Sequence, residues 1–335
     1  MSGLLRLVVN PAAGHGRALR VLSAAVAALQ ATGTAFEVCQ SASLEHAREL
    51  AGGGARLGHA VVAVGGDGTV GALAGVVAAA GGTYGIIPAG RGNDLARVLG
   101  IPIEPAAAVA VLTCGRSRQV DLIGVSIPGW PDSVVAGSVY AGVPSVAGEI
   151  ANASRWLTGP MVYPVAALRA LARWQSASFR VECAALGPSE ADSEVPADVL
   201  STVSPAVPPA VSPAVHEFAG YAVVIANSAY FGAGMQVAPP ALIDDGILDI
   251  VLMRHGPRLA FVRALMKIKD GSHVELPQIS LERSAEITLT ISRDLPAAAD
   301  GEALPGAMPL PAGVPLRIRA LPSALTILAP PPAPA

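Results

Sequence analysis

The sequence has few aromatic residues, few charged residues and few cysteines. Of its 335 residues, 4% are aromatic and 14% are charged, whereas 52% are hydrophobic, and much of that hydrophobic share is Ala and Val. Small aliphatic side chains of this kind suit helices that pack on a buried sheet. The composition therefore favours an α/β fold over an all-β fold, and the length predicts two domains, each with its own core.

The sequence also lacks an excess of positive charge and a long apolar run. A formal net charge of −3 leaves no surplus of cations to neutralise a phosphate backbone, so nucleic acid is not an expected partner. The cysteines, Cys39, Cys114 and Cys183, are scattered in a way that predicts reduced thiols in an intracellular protein. No stretch approaches the roughly 18 apolar residues of a membrane span. We therefore expect no transmembrane segment and a cytoplasmic location, either free or peripheral on the inner face of the membrane.

Short apolar runs alternate with longer Ala- and Leu-rich stretches in the first third of the chain. This alternation predicts parallel βαβ units, in which ligands collect at the turns that follow the strands. The predicted strand and helix pairs are Leu4–Val9 with Ala18–Ala31, Ala60–Val64 with Val70–Ala80, and Gly85–Ile87 with Asp94–Leu99. We predict a three-layer α/β domain with a parallel sheet over residues 1–124.

The pattern changes after this region, because strand-like runs follow one another without regular helices between them. It predicts a mainly antiparallel, β-sandwich-like domain over residues 125–315, interrupted by one helix around Pro164–Gln175. The predicted strands are Ser133–Tyr140, Phe179–Cys183, Tyr221–Ala226, Leu248–Met253 and Glu286–Ile291. A Pro-, Ser- and Ala-rich segment over 187–217 suits neither a helix nor a strand, and it predicts a disordered insertion.

The strongest local signal is Gly65-Gly66-Asp67-Gly68-Thr69, which separates a predicted strand from a predicted helix. Bare backbone amides in such a turn can approach phosphate oxygens, and the carboxylate can hold a magnesium ion or a water network. The alternative is an ordinary tight turn. Two further loops, over residues 10–18 and 88–97, also contain glycines and follow predicted strands. All three loops can line a single crevice at one edge of the sheet.

The order and spacing of these loops resemble the diacylglycerol and sphingosine lipid kinases, especially their bacterial members. The stretch from Ala226 to Asp249 and the motif Asp300-Gly301-Glu302 extend the resemblance over nearly the whole chain outside the Pro-rich insertion. The resemblance implies an ATP-binding domain over residues 1–124, rejoined by returning strands at about 316–328. It implies a lipid-binding domain over 125–315 and a catalytic cleft between the two.

The activity implied by the resemblance is ATP- and magnesium-dependent phosphorylation of a lipid hydroxyl, with diacylglycerol as the expected acceptor and phosphatidic acid as the product. Glu302 is implied as the general base, which must come within roughly 3 Å of the hydroxyl directly or through one water. Asp67 is implied to position the catalytic magnesium, with support from Asp94. The residues implied in ATP binding are Asn10, Gly14, Ser41, Gly65, Gly66, Asp67, Gly68, Thr69, Arg91, Gly92 and Asn93.

The resemblance also implies a structural magnesium site at the turn over Asp244–Leu248. There the Asp245 carboxylate would be joined by the main-chain carbonyls of Leu242 and Ile247, and oxygen ligands of this kind suit magnesium. The alternative is an ordinary Asp-Gly hairpin turn without a metal.

Five residues differ from the family pattern or match it only loosely. Arg91 stands where most relatives carry a Thr, and it either forms a charge-assisted bond to phosphate or points to solvent. His15 lies near a Lys of relatives, and a mostly neutral imidazole weakens a phosphate contact there. Gly71-Ala72 replaces an Asn-Glu pair, so those side-chain contacts are lost. Ser41 aligns loosely with a Thr that contacts the nucleotide.

Three other interpretations remain open. An NAD kinase would share the Gly-Gly-Asp-Gly signature, but the Asn-Glu pair and a Ser/Thr-Ala-Tyr motif are missing. A sphingoid base or ceramide could replace diacylglycerol as the acceptor. A nucleotide-binding regulator without catalysis would not require Asp67, Asp94 and Glu302 together. The expected partner is a lipid at the membrane surface, and the sequence is compatible with a homodimer.

Overall fold

The computed structural model describes residues 3–11, 16–153, 162–184, 213–232, 234–305 and 307–331. In the first part of the chain, strands and helices alternate as the sequence predicts. These elements are β1 (Leu5–Val9), α1 (Arg17–Thr32), β2 (Phe36–Gln40), α2 (Leu44–Arg56), β3 (Ala60–Gly65), α3 (Asp67–Ala79), β4 (Thr83–Pro88), α4 (Asp94–Val98) and α5 (Pro105–Cys114).

Four strands of this part form a parallel sheet in the order β2-β1-β3-β4. Successive side chains on a strand point to opposite faces. Leu7 and Val62 therefore pack in the core that contains α1, whereas Val8 and Val61 pack in the core that contains α2 and α3. The predicted three-layer α/β architecture is confirmed. Because β1, β3 and β4 are parallel neighbours, the loops that follow them lie at the same edge of the sheet.

The second part of the described chain consists mainly of antiparallel strands, as predicted, together with three α-helices and a short 3-10 helix (Ser272–Glu275). These elements are β5 (Arg116–Ser126), β6 (Ser133–Val135), β7 (Ser138–Gly142), α6 (Val143–Ala153), α7 (Val162–Ala172), β8 (Ala177–Cys183), β9 (Ala214–Ala226), β10 (Tyr230–Phe231), β11 (Met235–Gln236), β12 (Leu248–Arg254), α8 (Arg258–Lys267), β13 (Ile279–Ser284), β14 (Glu286–Ile291), β15 (Ala297–Ala299), β16 (Glu302–Ala303) and β17 (Leu316–Ala329). Across the described ranges, no helix combines the length and apolar character needed to cross a membrane.

The last strand, β17, connects the sheets of the two parts. Its beginning pairs antiparallel with β14, and its end runs parallel to β4 through Thr326 and Ile327. β17 also pairs with β5 along most of its length, with an irregularity between Leu321 and Leu325. Pro322 lies in this irregularity and has no N–H to donate to a ladder. The two terminal strands expected from the sequence are therefore one interrupted strand.

The expectation of a single helix in the second part was wrong, because α6, α7 and α8 all occur there. α7 corresponds to the predicted helix but begins at Val162 and ends at Ala172. α6 follows directly after β7, and its small apolar residues resemble those of a buried strand. Local composition could not distinguish these possibilities, since short apolar runs suit both structures.

Two other expected boundaries also needed correction. The predicted insertion over 187–217 extends too far, because residues 214–217 belong to β9 and pair with β8. Residues 187–212 lie outside the described ranges. The predicted strand Ser133–Tyr140 is divided into β6 and β7 at Ala136 and Gly137. Their backbone N–H groups donate to the Asp300 carboxylate instead of continuing the ladder.

Candidate active site

The loops that follow β3 and β4 touch through their backbones. A Cβ atom added to Gly90 would lie 2.4 Å from the Gly66 Cα, a separation that no side chain allows. The Asn93 side chain holds this contact, since its Oδ1 accepts a hydrogen bond from the Gly90 N–H at 2.8 Å and its Nδ2 donates to the Gly90 carbonyl at 3.1 Å. Glycine is therefore required at both positions for the two loops to meet.

Asp67 is the first residue of α3, and its carboxylate connects the same two loops. Oδ2 accepts a hydrogen bond from the Asn93 N–H at 3.0 Å, and Oδ1 accepts one from the Asp94 N–H at 2.6 Å. A carboxylate beside free N–H groups at the beginning of a helix is electrostatically favourable. Asp67 thus holds the loop after β4 in place against the loop after β3.

Asp94 extends this network into the second part of the chain. Its Oδ1 accepts a hydrogen bond from the Gly234 N–H at 2.8 Å, in the turn between β10 and β11. The Arg97 guanidinium lies beside this turn, 5.7 Å from the centre of the Tyr230 ring. The sequence contained no signal for the contact with Gly234, because the two residues are distant in the chain.

Glu302 follows a two-residue hairpin turn between β15 and β16. Ala299 pairs with Glu302, and the intervening Asp300 and Gly301 both have positive φ, as is typical of an Asp-Gly turn. The turn brings the exposed Glu302 beside α3, because a Cβ atom on Gly68 would lie 3.1 Å from Glu302 Oε1. Glu302 therefore lies beside Gly68, the residue that follows Asp67 in the loop after β3.

Asp300 is a site residue to which the sequence reasoning gave no separate role. Its carboxylate accepts hydrogen bonds of 2.9 to 3.2 Å from the N–H groups of Ala136, Gly137 and Ser138. Burial raises the pKa of this carboxyl group, while the three N–H groups oppose the shift and Asp67 adds to it. A Cβ atom on Gly71 would lie only 2.7 Å from Asp300 Oδ2. A side chain at position 71 would therefore collide with the Asp300 carboxylate, and glycine leaves room for it.

The other residues implied in ATP binding differ in their burial and in their contacts. Ser41 is buried, and both its N–H and its hydroxyl donate to the Val9 carbonyl, at 2.8 and 3.2 Å. This contact places Ser41 next to the end of β1, where Asn10 begins the first loop. Arg91 is exposed, and its guanidinium has no hydrogen bond or ion pair to another described residue. Gly14 and His15 lie outside the described ranges.

The remaining predicted positions lie in the contacting loops. A Cβ atom on Gly65 would lie 2.8 Å from the Cβ of Thr69, so these two residues pack closely within the signature. Gly92 is buried, and its carbonyl accepts a hydrogen bond from Arg97 Nη2 at 3.4 Å. The implied ATP-binding residues within the described ranges thus lie on the loops at one edge of the parallel sheet, together with Ser41 after β2.

Comparison with known proteins identifies the family. The model for the diacylglycerol kinase catalytic domain matches residues 4–125, and the model for the YegS C-terminal NAD kinase beta sandwich-like domain matches residues 137–329. The chain belongs to the diacylglycerol kinase family of lipid kinases. The family expected from the motifs is thereby confirmed, and the protein is a kinase.

Individual relatives agree with this result. The kinase is 30% identical to a diacylglycerol kinase of Mycobacterium tuberculosis, with 98% of this chain and 96% of that protein covered. It is 23% identical to a diacylglycerol kinase of Bacillus subtilis, with 89% of each covered. The crystal structure of a diacylglycerol kinase from Bacillus anthracis strain Sterne matches with a TM-score of 0.66 and 20% identity, covering 98% of this chain and 97% of that one. That structural match supports the fold.

The turn implied as a magnesium site in this lipid kinase contains an ion pair. Arg283 Nη2 donates to Asp245 Oδ2, and the Ile247 N–H donates to Asp245 Oδ1 at 3.1 Å. Leu242, at the start of the same loop, has an exposed side chain. Among the described residues, no group of three or more His, Cys, Asp or Glu side chains is arranged to hold a metal. Asp245 does not fit a magnesium ion while Arg283 occupies its carboxylate.

Two further carboxylates lie around this turn. Asp249 is buried, and burial raises its pKa to about 6, although Arg283 opposes the shift; the Arg283 Nε lies 3.6 Å from Asp249 Oδ1. Asp121 accepts hydrogen bonds from the Gly246 N–H at 2.6 Å and the Ser323 N–H at 2.7 Å. The turn is thus held by backbone N–H groups and by two guanidiniums that neutralise part of the negative charge, because Arg283 pairs with Asp245 and Arg118 pairs with Asp244 at 2.7 Å.

Proposed function

We propose that this kinase transfers the terminal phosphate of ATP, bound with magnesium, to the hydroxyl group of diacylglycerol to form phosphatidic acid. The observation that supports this proposal is the position of Glu302 beside Gly68, the residue after Asp67, where the glycine loops of the parallel sheet meet an acidic residue from a distant part of the chain. The relatives named diacylglycerol kinases, which match nearly the full length, support the choice of acceptor.

The backbone of residues 65–69 and the beginning of α3 are suited to the ATP phosphates. N–H groups at the beginning of a helix lack intrahelical partners and bind anions. Asn10 and Gly14 would contribute from the first loop, and Arg91, Gly92 and Asn93 from the third. Because Arg91 is exposed beside this edge, its guanidinium can turn towards a phosphate.

Magnesium is expected to arrive with the nucleotide. It is commonly bound by one or two carboxylates together with substrate phosphates, and Asp67 beside the phosphate loop fits that arrangement. When bound, the ion would neutralise the charge that develops on the transferred phosphoryl group. Asp94 would support Asp67 and, through Gly234, keep the second part of the chain over the nucleotide loops.

Glu302 is suited to act on the acceptor. In the transfer, a new bond forms between the acceptor oxygen and the terminal phosphorus, the bond to the β-phosphate oxygen breaks, and ADP leaves. The hydroxyl proton moves to the Glu302 carboxylate, which is exposed beside Gly68. Asp300 would hold the hairpin turn so that Glu302 faces the phosphate loop.

The proposal can be tested by incubating the full chain with labelled ATP, magnesium and one acceptor at a time. The acceptors are diacylglycerol, sphingosine, ceramide and NAD, and we expect label in phosphatidic acid. Label only in NADP, sphingosine phosphate or ceramide phosphate would replace diacylglycerol by that acceptor. ATP binding without any labelled product would favour a regulator. A parallel reaction with EDTA, followed by addition of magnesium, tests the metal requirement.

A further inference from the structure

Helix α8 is packed against the protein along only a narrow side. Ala264 is its one buried residue, while Phe261 and Leu265 are partly buried against the core of the second part. Leu259 and Met266 are 63% and 71% exposed. Because residues seven apart on a helix share a face, these two large apolar side chains lie together on the outer surface.

The exposed apolar side chains of α8 are accompanied by positive charge. Arg258, Arg263, Lys267 and Lys269 lie on α8 or just after it, and no acidic residue occurs between His255 and Lys269. Lys267 and Lys269 are the two lysines of the chain, which otherwise carries only arginine as a strong base and has a net charge of −3. The nearest acid, Asp270, accepts hydrogen bonds from the Ser272 N–H and hydroxyl at 3.0 and 2.7 Å. We call Leu259, Met266 and the four cations the α8 face.

The end of α8 is connected to the active site by a short series of hydrogen bonds. The Ile268 carbonyl, directly after α8, accepts a hydrogen bond of 2.8 Å from the Gln236 N–H in β11. The turn between β10 and β11 contains Gly234, which donates to Asp94, and the Asp94 N–H donates to Asp67. The cationic end of α8 therefore lies next to the β10–β11 hairpin, which is hydrogen-bonded to Asp94 in the candidate site.

We propose that the α8 face docks the kinase onto an anionic lipid bilayer and so presents a bilayer lipid to the cleft. Apolar side chains that enter the interface and flanking Lys and Arg residues that bind anionic headgroups are the two components of interfacial helix binding. The long Lys and Arg side chains keep their charges at the headgroups while their aliphatic stems cover apolar surface. The inference rests on the proposed function, in which the acceptor resides in a membrane.

The test measures binding of the full chain to phosphatidylcholine vesicles with and without phosphatidylglycerol. The α8 variant is Met266→Ser/Lys269→Gln, and the matched control is Leu57→Ser/Arg20→Gln, which removes one exposed apolar side chain and one exposed cation from the first part. We expect the α8 variant to bind anionic vesicles on the order of 20-fold more weakly, from about fivefold for the charge and the rest for the apolar contact. The control variant should bind like the wild type.

A second pair of measurements uses activity. Phosphorylation of diacylglycerol in anionic vesicles should fall in the α8 variant, whereas phosphorylation of a short-chain diacylglycerol that is monomeric in water should not change. Leu259→Ser/Arg263→Gln provides an independent variant, and thermal melting checks that both variants fold. Binding of the wild type should also weaken as salt is raised, because the headgroup contacts are screened.

The inference is overturned if both folded α8 variants bind anionic vesicles as tightly as the wild type, or if vesicles without phosphatidylglycerol bind the wild type equally well. It is also overturned if the α8 variants convert a dimer to a monomer, which would make this face a contact between copies. These outcomes leave the proposed function intact. Conversely, vesicle binding that depends on α8 without phosphorylation of either diacylglycerol would support the docking surface and reject the proposed acceptor.

Discussion

Asp67 Oδ1 accepts a hydrogen bond of 2.6 Å from the backbone N–H of Asp94, so the carboxylate at the beginning of α3 holds the beginning of α4. The other oxygen of Asp67 accepts the N–H of Asn93. One carboxylate thus fixes the geometry of two loops that we propose bind ATP. Its structural role and its proposed catalytic role therefore depend on the same carboxylate.

Asp67→Asn should reduce both stability and activity. The amide has one oxygen to accept a hydrogen bond, and its NH2 group would face a second N–H, so we expect a loss of about 1–3 kcal/mol in the free energy of unfolding. We expect kcat to fall by on the order of 100-fold or more, because a charge that positions the metal is removed. Urea unfolding and steady-state kinetics would measure the two effects. Normal turnover in a folded Asp67→Asn protein would contradict the proposed role.

Glu302→Gln should remove most turnover while leaving ATP binding unchanged. The side chain keeps its shape but cannot take the acceptor proton, and general base catalysis contributes roughly 10²- to 10⁴-fold. Calorimetric titration with ATP and the phosphorylation assay would separate binding from chemistry. Glu49→Gln, an exposed acid on α2, is the control and should have wild-type activity. Equal activity in both variants would reject Glu302 as the base.

Gly90→Ala should destabilise the protein and weaken ATP binding together. The new Cβ atom would meet the Gly66 backbone at 2.4 Å, so the two loops must separate, at a cost of about 1–3 kcal/mol. Gly148→Ala in α6 is the matched control, because a Cβ atom there meets nothing within 4 Å. It should stabilise the helix by about 0.5–1 kcal/mol. Melting temperatures and ATP titrations would compare the Gly90→Ala and Gly148→Ala variants. Identical results for the two would show that the contact between the Gly66 and Gly90 loops is unimportant.

Arg283→Gln should create a dependence of stability on magnesium that the wild type lacks. With Arg283 in place, the Asp245 carboxylate is already neutralised, so the melting temperature without nucleotide should be the same in EDTA and in magnesium. In Arg283→Gln, magnesium binding to the free carboxylate would stabilise the folded state by mass action. Asp245→Asn serves as the control. A magnesium effect in the wild type that Asp245→Asn abolishes would instead support the magnesium site implied by the family.

Asp249→Asn should remove a specific pH dependence of stability. The folded pKa of about 6 lies above the ordinary value of about 3.9, so the folded state keeps a proton that the unfolded state loses between about pH 4 and 6. Stability from protonated Asp249 is therefore present at low pH and lost as the pH rises through this window. The loss amounts to roughly 2–3 kcal/mol.

Urea unfolding at about pH 5 and about pH 7 would measure this effect. The free energy of unfolding should differ less between these two pH values in Asp249→Asn than in the wild type. Asp132→Asn, at an exposed carboxylate, should keep the wild-type difference. If Asp249→Asn also keeps the wild-type difference in the free energy of unfolding, the buried Asp249 carboxylate does not titrate between these two pH values.

Much of the candidate site could be predicted from local sequence. The strands that end at Val9, Gly65 and Pro88 are marked by apolar runs, and the glycine loops after them follow from the chemistry of close backbone approach. The Asp300-Gly301 turn is also local, because that dipeptide tolerates the positive φ of a tight hairpin. Such features depend on a few consecutive residues, so a single sequence contains enough information to locate them.

Other features depend on which distant residues become neighbours. The pairing of β12 with β13 places Arg283 directly opposite Asp249 and beside Asp245, and this register depends on the whole sheet. The bond between Asp94 and Gly234, and the capture of the Ala136–Ser138 backbone by Asp300, likewise require the two parts to pack.

The sequence by itself determined the alternation of strands and helices in the first part and the position of the loops that we propose bind phosphate, because backbone conformation there follows from neighbouring residues. Only the tertiary structure decided that Asp300 supports the hairpin of Glu302 and that α8 keeps Leu259 and Met266 on the surface. The physical reason is that burial and hydrogen-bond partners are properties of the packed chain and have no local signature.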